Sequence, residues 1–177
     1  MDCPKCWGKS KSCIRCGGDG KCPDVQLSPH FRLSELLVSN TAKSKGLDND
    51  PSPEVLANLK ALCENVLEPL RAKLGPIKIN SGYRSDPVNK AVGGSTTSAH
   101  SYGLAADLHP PKGCKAMMQA ILASGVALDQ VIYERTWVHV GYLHPKSKSQ
   151  RGEALSMFVV NGKTTYEPFR ADDSRVV

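Results

Sequence analysis

Five of the seven cysteines in this 177-residue chain lie within its first 22 residues, where few apolar side chains accompany them. They form two Cys-x-x-Cys pairs, Cys3 with Cys6 and Cys13 with Cys16, and the fifth is Cys22. Each pair can present two thiolates to one tetrahedral zinc ion, and a segment without a hydrophobic core needs such support in order to fold. We therefore predict a zinc knuckle on these four cysteines, with Cys22 as the alternative ligand. A flexible tail or two reversible disulfides are the other interpretations, although an odd number of cysteines does not suit a closed disulfide framework.

The composition of the whole chain excludes several classes of protein. With 40% hydrophobic and 23% charged residues, the chain is typical of a globular protein rather than a disordered one. It contains no apolar run of about 18 residues, so we expect no membrane-spanning helix, and its N-terminus lacks the apolar core of a signal peptide. The net charge of +6 favours anionic partners in general. Nucleic acid is not favoured among them, because the basic Cys-rich segment carries a single aromatic residue, Trp7.

The remaining chain alternates between helical and strand patterns. Apolar residues recur every three or four positions from Pro53 to Leu74, which predicts an amphipathic helix with Ser52 as its N-cap and with a kink or a change of helix type at Pro69. A second helix is predicted at 115–124, strands at 77–81, 130–134 and 137–142, and a hairpin around the type I′ turn signal Asn161-Gly162.

Three residues within these elements have side chains that suit a metal site. His100 and Asp107 stand seven residues apart with Gly103 between them, which allows the chain to bend, and His139 lies in a predicted strand. Two histidines and one carboxylate are a common ligand set for a catalytic zinc ion that keeps its fourth position open for water. The spacing alone does not decide the matter, because such a pair is also common in proteins that bind no metal.

Four motifs, in a fixed order, extend this pattern. They are Ser81-Gly-Tyr-Arg84-Ser, Asn89-Lys-Ala-Val-Gly-Gly-Ser, Ser98-Ala-His100 with Gly103 and Asp107, and Asp129-Gln-Val-Ile-Tyr-Glu134 followed by Trp137-Val-His139-Val. Together they resemble the zinc D-Ala-D-Ala carboxypeptidase and L-alanyl-D-glutamate endopeptidase family, in particular its phage-type branch, which shares a fold with hedgehog signalling domains. The resemblance covers roughly residues 27 to 168 and leaves out the Cys-rich segment.

The resemblance implies a fold and a domain organisation. We expect an α+β fold in which a small antiparallel sheet carries the zinc site and helices flank it. The corresponding boundaries are a Cys-rich zinc-knuckle segment at 1–24, a peptidase-like domain at 25–168 and a polar tail at 169–177.

The resemblance also implies roles for individual residues. His100, Asp107 and His139 match the zinc ligands of the family. Arg84 matches the arginine that holds a substrate carboxylate or amide carbonyl, a task that suits the planar, permanently charged guanidinium. Glu134 is the candidate general base, which would take a proton from the attacking water. The alternative interpretation is that Glu134 is a surface carboxylate at a strand end, since some family members place a histidine or aspartate nearer the last metal ligand, which is His139 here.

Two neighbouring residues are candidates for substrate binding. Tyr83 could donate a hydrogen bond to the oxyanion or could simply pack, and Ser98 could form a hydrogen bond near the metal. Trp137 would be structural or would form a wall of the cleft.

The expected function is that of a zinc peptidase acting on peptidoglycan peptides, with a D-amino acid or a γ-linked glutamate near the scissile bond. The phage-type motifs suggest a bacteriophage endolysin, made in the host bacterial cytoplasm and acting on the wall after lysis, or a wall hydrolase carried in the virion. The Cys-rich segment could then contact other virion proteins. The alternative is a virion structural or binding protein that keeps the fold and the metal but has no turnover.

Overall fold

The computed structural model describes residues 1–6, 20–144, 146–147 and 149–176. The α-helices in these ranges are α1 Leu33–Leu36, α2 Asn40–Lys45, α3 Pro53–Leu62, α4 Glu68–Leu74, α5 Asp86–Ala91 and α6 Cys114–Ser124. The strands are β1 Gln26–Ser28, β2 Phe31–Arg32, β3 Ile79–Ser81, β4 Ala105–Leu108, β5 Gln130–Tyr133, β6 Val138–Gly141, β7 Glu153–Val160 and β8 Lys163–Pro168. The predicted α+β class is confirmed.

The long amphipathic helix changes its hydrogen-bonding pattern in the middle. Ser52 caps α3 by accepting a hydrogen bond from the Val55 N–H. A π-helical segment, Cys63–Leu67, then joins α3 to α4. Pro69 lies at the start of α4, where its missing N–H leaves the helix one hydrogen bond short. The predicted change of helix type near Pro69 is therefore confirmed.

The main sheet has six strands in the order β3-β4-β6-β5-β7-β8. Its neighbouring strands are antiparallel except for β5 and β7, which run parallel, so the expectation of an antiparallel sheet was incomplete. The parallel pair arises because the chain leaves the end of β6, passes the first residue of β5, and starts β7 on the other side of β5. Arg151 holds this crossing with an ion pair to the buried Asp129, whose Oδ2 lies 2.6 Å from the Arg151 Nη2. The hairpin turn between β7 and β8 is also as predicted, with φ angles of 51° at Asn161 and 74° at Gly162.

The two faces of this sheet have different surroundings. Side chains of one face, including those of Val131, Tyr133 and Val138, belong to the same buried core as α3, α4 and α6. Asp107 pairs with His139, and His139 pairs with Ile132, so these three residues share the opposite face. The sheet therefore directs two of the candidate metal ligands away from the helix-packed core.

Both ends of the chain pack onto the folded body. At the N-terminus, Cys3, Cys6 and Cys22 lie together in a small buried cluster, and Met1 packs against both this cluster and the main core. Cys13 and Cys16 lie outside the described residues.

At the other end of the chain, the polar segment after β8 returns to the sheet. Val176 is buried there, and the Arg175 guanidinium lies 3.8 Å from the centre of the Phe158 ring.

Candidate metal centre

Three elements place the candidate ligands. His100 lies in a 3₁₀ turn, Ala99–Tyr102, whereas Asp107 and His139 lie opposite each other on β4 and β6. The 3₁₀ turn ends at Gly103, which has a φ of +71°, and a Cβ there would lie 2.9 Å from the Val55 carbonyl oxygen. Only glycine suits both the left-handed backbone and this close approach to α3. Gly103 thus allows the chain to turn back so that His100 meets the sheet.

The three side chains converge on one point. The His100 Nε2 lies 3.1 Å from the His139 Nδ1 and 3.2 Å from the Asp107 Oδ1, and the latter two atoms are 3.1 Å apart. Donors about 2.0 Å from a tetrahedral zinc ion would lie about 3.3 Å from one another. All three residues are buried, and no other group of three such donors in the described ranges lies close enough to share a metal. The residues of this triad therefore fit a zinc ion in both type and spacing.

A backbone carbonyl sets the orientation of the His100 ring. The His100 Nδ1 lies 2.6 Å from the Gly82 carbonyl oxygen, and a carbonyl can only accept. The proton is therefore on Nδ1, and the lone pair of Nε2 points at the centre of the triad. A ligand histidine usually donates its second ring N–H to such a partner, which fixes its tautomer.

The ionisation of the triad also suits a cation. Burial alone would raise the pKa of Asp107, but the adjacent His100 and His139 outweigh it and hold this pKa well below its usual range. Burial lowers the pKa of His100, because the imidazolium is poorly solvated, although Asp107 opposes this shift. A neutral imidazole and a carboxylate are the forms that bind metal ions.

Arg84 lies next to the triad, three residues after the end of β3. Its Nη1 is 3.8 Å from the Asp107 Oδ2, and its backbone N–H donates to the His100 carbonyl oxygen at 3.2 Å. Burial lowers the pKa of Arg84, and the charges of Asp107 and Glu134 oppose this shift. Its Nε is buried and has no hydrogen-bond partner within the part of the chain that the structure describes. The guanidinium therefore has donor capacity left for an anionic or carbonyl ligand.

Glu134 follows β5 and lies on the same side of the sheet as the triad. Its N–H donates to the Trp137 carbonyl oxygen at 3.1 Å, closing a tight turn in which Arg135 has a φ of 64°. Burial raises the pKa of Glu134, and the charge of Asp107 raises it further, whereas His139 and Arg84 act in the opposite sense. A carboxyl group whose pKa is shifted towards neutrality is suited to accept and return a proton.

The sequence interpretation missed two residues on the metal-bearing face, Met157 and Tyr166. Ile132 of β5 pairs with Leu155 of β7, so these two side chains share that face. Glu134 lies two residues after Ile132, and Met157 lies two residues after Leu155, which places both on the same face because side chains alternate along a strand. Met157 in turn pairs with Tyr166, which is 52% exposed. Burial and the charge of Glu134 raise the pKa of the Tyr166 hydroxyl. Because only the strand register brings Tyr166 towards Glu134, no local sequence signal could have identified it.

The two predicted substrate-binding residues are sequence neighbours of Arg84 and His100, and they lie in different settings. Tyr83 is almost fully buried and belongs to the main core; burial raises the pKa of its hydroxyl, and nearby Asp86 and Asp48 raise it further. Ser98 is half-buried and directly precedes the 3₁₀ turn of His100, where its carbonyl oxygen accepts a hydrogen bond from the Ser101 N–H. The roles of both residues towards a substrate stay predictions.

A mixed sheet with a buried His–Asp–His triad, flanked by an arginine and a carboxylate, defines a metal-dependent hydrolase centre. The chain belongs to the Peptidase M15 family, whose family model matches residues 29–141, a range that includes the whole triad, Arg84 and Glu134. The predicted relation to zinc D-Ala-D-Ala carboxypeptidases is thereby confirmed, and so is the assignment as a metallopeptidase. Comparison with curated proteins finds no match. In the described ranges, no helix has the length and apolar character needed to cross a membrane.

Proposed function

We propose that this protein is a zinc-dependent peptidoglycan peptidase, either a D,D-carboxypeptidase or an endopeptidase of the L-Ala-D-Glu type. The observation that carries the proposal is the convergence of His100, Asp107 and His139, with donor atoms 3.1 to 3.2 Å apart, in a member of the Peptidase M15 family. A zinc ion held by these residues would supply Lewis-acid polarisation of the scissile carbonyl and would lower the pKa of water.

Arg84 orients the substrate in this proposal. Its guanidinium lies at the edge of the triad, close to Asp107, and keeps donors that no described residue uses. A planar fork of N–H donors can hold a carboxylate, or the carbonyl of a peptide bond, in one orientation. This orientation would present the scissile bond to the centre of the triad.

Glu134 moves the proton. The carboxylate takes a proton from the attacking water as the new C–O bond forms, and then delivers it to the leaving amine as the C–N bond breaks. Its raised pKa supports both steps, because the group must be a base first and an acid afterwards. Asp107 stays a carboxylate in this proposal, because it is one of the three groups that would hold the metal.

The cleft walls would come from both sides of the triad. Tyr83 and Ser98 lie in the segments that carry Arg84 and His100, and we propose them as substrate-binding residues. Met157 and Tyr166 extend the same face beyond Glu134 and form the opposite wall. The exposed Tyr166 ring supplies both an apolar surface and a hydroxyl group for the part of the peptide that extends over the hairpin.

The biological setting we propose is a bacteriophage endolysin or a virion-associated wall hydrolase, made in the host cytoplasm. The motifs of the phage-type branch and the net charge of +6, which favours an anionic envelope, support this setting. We further propose a second, structural zinc ion on Cys3, Cys6, Cys13 and Cys16, supported by the spacing of the two Cys-x-x-Cys pairs. That segment would offer a surface for other virion proteins.

Mass spectrometry of purified muropeptides, incubated with the zinc-loaded protein, tests the proposal. Loss of a terminal D-Ala would identify a carboxypeptidase, and a cut between L-Ala and D-Glu would identify an endopeptidase. His100→Ala should remove this activity together with the metal. If wall material of several chemistries remains uncut by the zinc-loaded protein, the peptidase proposal fails and a structural or binding role in the virion replaces it.

A further inference from the structure

A buried asparagine holds the backbone on both sides of Arg84. Asn49 lies in the loop before α3, and none of its surface is exposed. Its Oδ1 accepts a hydrogen bond from the Ser85 N–H at 2.8 Å, and its Nδ2 donates to the carbonyl oxygens of Tyr83 and Leu37, each at 3.3 Å. One side-chain amide thus contacts the residue before Arg84 and the residue after it.

Two further contacts hold the Asn49 loop in place. The Ser85 hydroxyl donates to the Asp48 carbonyl oxygen at 2.6 Å, which ties the same two segments together a second time. The Asn49 N–H donates to the carbonyl oxygen of Pro4 at 2.8 Å, and the Lys5 Nζ lies 3.4 Å from the Asp48 Oδ2. The loop is therefore fixed between the strand that leads to Arg84 and the N-terminal segment.

The Arg84 side chain itself has few contacts that could fix its direction. Its Nη1 is 3.8 Å from Asp107, beyond ordinary hydrogen-bond length, and its Nε has no partner among the described residues. The direction of the guanidinium must therefore come mainly from the backbone that carries it. That backbone is held by Asn49 on both flanks, and by the bond from the Arg84 N–H to the His100 carbonyl oxygen.

We propose that Asn49 is a positioning residue that aims Arg84 across the triad at the substrate. The proposal rests on the proposed function, because it assigns to Arg84 the task of orienting the peptide. An amide suits the position, since it offers an acceptor to Ser85 and donors to two carbonyl groups at once. Alanine would leave these three buried backbone groups without their partners and would allow the Arg84 segment to shift.

A double-mutant cycle separates this role from a general loss of stability. A misplacement of about 1 Å in a substrate-positioning group can cost up to about a hundredfold in rate. We expect Asn49→Ala to lower kcat/KM for a muropeptide about ten- to a hundredfold while zinc stays bound. In an Arg84→Ala background, the same change should lower kcat/KM less than about twofold, because the group that Asn49 aims is absent.

The matched control is Leu70→Ala, which removes a fully buried side chain of α4 and lowers stability without touching the triad. At a temperature where every variant is folded, Leu70→Ala should keep kcat/KM close to that of the wild type. The proposal would be overturned if Asn49→Ala lowered kcat/KM by the same factor in the wild-type and Arg84→Ala backgrounds. It would also be overturned if Leu70→Ala lowered kcat/KM as much as Asn49→Ala does. If Asn49→Ala does not fold, Asn49→Asp serves in the cycle, because it keeps an acceptor for Ser85 and loses both donors.

Amide hydrogen exchange tests the same contact without turnover. In Asn49→Ala, the Ser85 amide should exchange at least about tenfold faster than in the wild type. In Leu70→Ala, the exchange rate of the Ser85 amide should rise no more than the rates of other protected amides do. Unchanged exchange at Ser85 would refute the role of Asn49. If the wild type cleaves no muropeptide but Ser85 exchange responds as expected, the proposed function has failed and the contact made by Asn49 stands.

Discussion

Replacing Gly82 with alanine should damage both stability and metal binding, for one steric reason. The Tyr83 N–H donates to the Leu36 carbonyl oxygen at 2.7 Å, which draws the chain at Gly82 against α1. A Cβ at residue 82 would lie 2.5 Å from that oxygen and 2.8 Å from the Leu36 Cα. These are backbone atoms, so the clash cannot be relieved by a side-chain rotation, and the segment must move.

The size of both effects follows from this displacement. Forced overpacking typically costs about 1–3 kcal/mol of stability, which for a domain of this size lowers the Tm by about 2–12 °C. The Gly82 carbonyl also accepts the 2.6 Å hydrogen bond from the His100 Nδ1, so its movement disturbs the ring that offers Nε2 to the metal. Loss of such a supporting contact commonly weakens metal affinity about 10–100-fold.

Thermal denaturation and zinc titration against a competing chelator measure these two effects. The control for the stability measurement is Gly141→Ala on β6, where a Cβ would meet the Gln130 carbonyl oxygen at 3.7 Å and the His139 Nε2 at 3.8 Å, both ordinary contact distances. Its zinc affinity is not compared, because His139 is a proposed ligand. This control should leave stability unchanged or raise it by up to about 1 kcal/mol. A Gly82→Ala protein with the Tm and the zinc affinity of the wild type would refute the reasoning.

Three further predictions concern the proton, the second metal and the pH dependence of folding. Glu134→Gln should lower kcat about a hundred- to ten-thousandfold with zinc retained, because the amide cannot accept a proton; full activity would move the base to another residue. Elemental analysis should find close to two zinc ions per chain and close to one in Cys3→Ser, and a value of one in the wild type would exclude the structural site. Burial opposes ionisation of Asp129, but its hydrogen bonds and ion pair with Arg151 outweigh burial and lower its pKa below the ordinary 3.8. The stability that this pair contributes is therefore present above about pH 4 and is lost as the pH falls through the lowered pKa. Urea unfolding from pH 7 to pH 2 should show the free energies of unfolding of the wild type and Asp129→Asn converging at the acid end. A difference between these two free energies that stays constant with pH would contradict the assignment.

Local signals in the sequence predicted much of the fold and the set of candidate metal ligands. The apolar spacing of 53–74, the proline within it and the Asn161-Gly162 turn each act through neighbouring residues, so their structural effects could be predicted. The ligands could be identified because the family motifs place His100, Asp107 and His139 in a recognisable order. Their burial and their mutual distances, however, depend on the pairing of β4 with β6 and on the turn at Gly103.

The features that the sequence did not predict all depend on contacts between distant segments. Asn49 meets Ser85 across 36 residues, and an Asp-Asn-Asp-Pro stretch reads locally as nothing more than a turn. Tyr166 approaches Glu134 only because β7 runs parallel to β5 and pairs with β8. Such positions are defined by register, which side-chain patterning alone does not determine for short strands.

The N-terminal segment differs in composition from the rest of the chain and contacts the loop beside Arg84. Its cysteines and glycines set it apart from the rest of the chain, and their spacing favoured the two Cys-x-x-Cys pairs over Cys22. In the structure, the Cys3 N–H donates to the Gly20 carbonyl oxygen and the Cys22 N–H to the Met1 carbonyl oxygen, which brings Cys22 to Cys3. Pro4 then contacts the backbone of Asn49, the residue that flanks Arg84 on both sides. A change in the Cys-rich segment that moves Pro4 would therefore act on the loop that holds the backbone on both sides of Arg84.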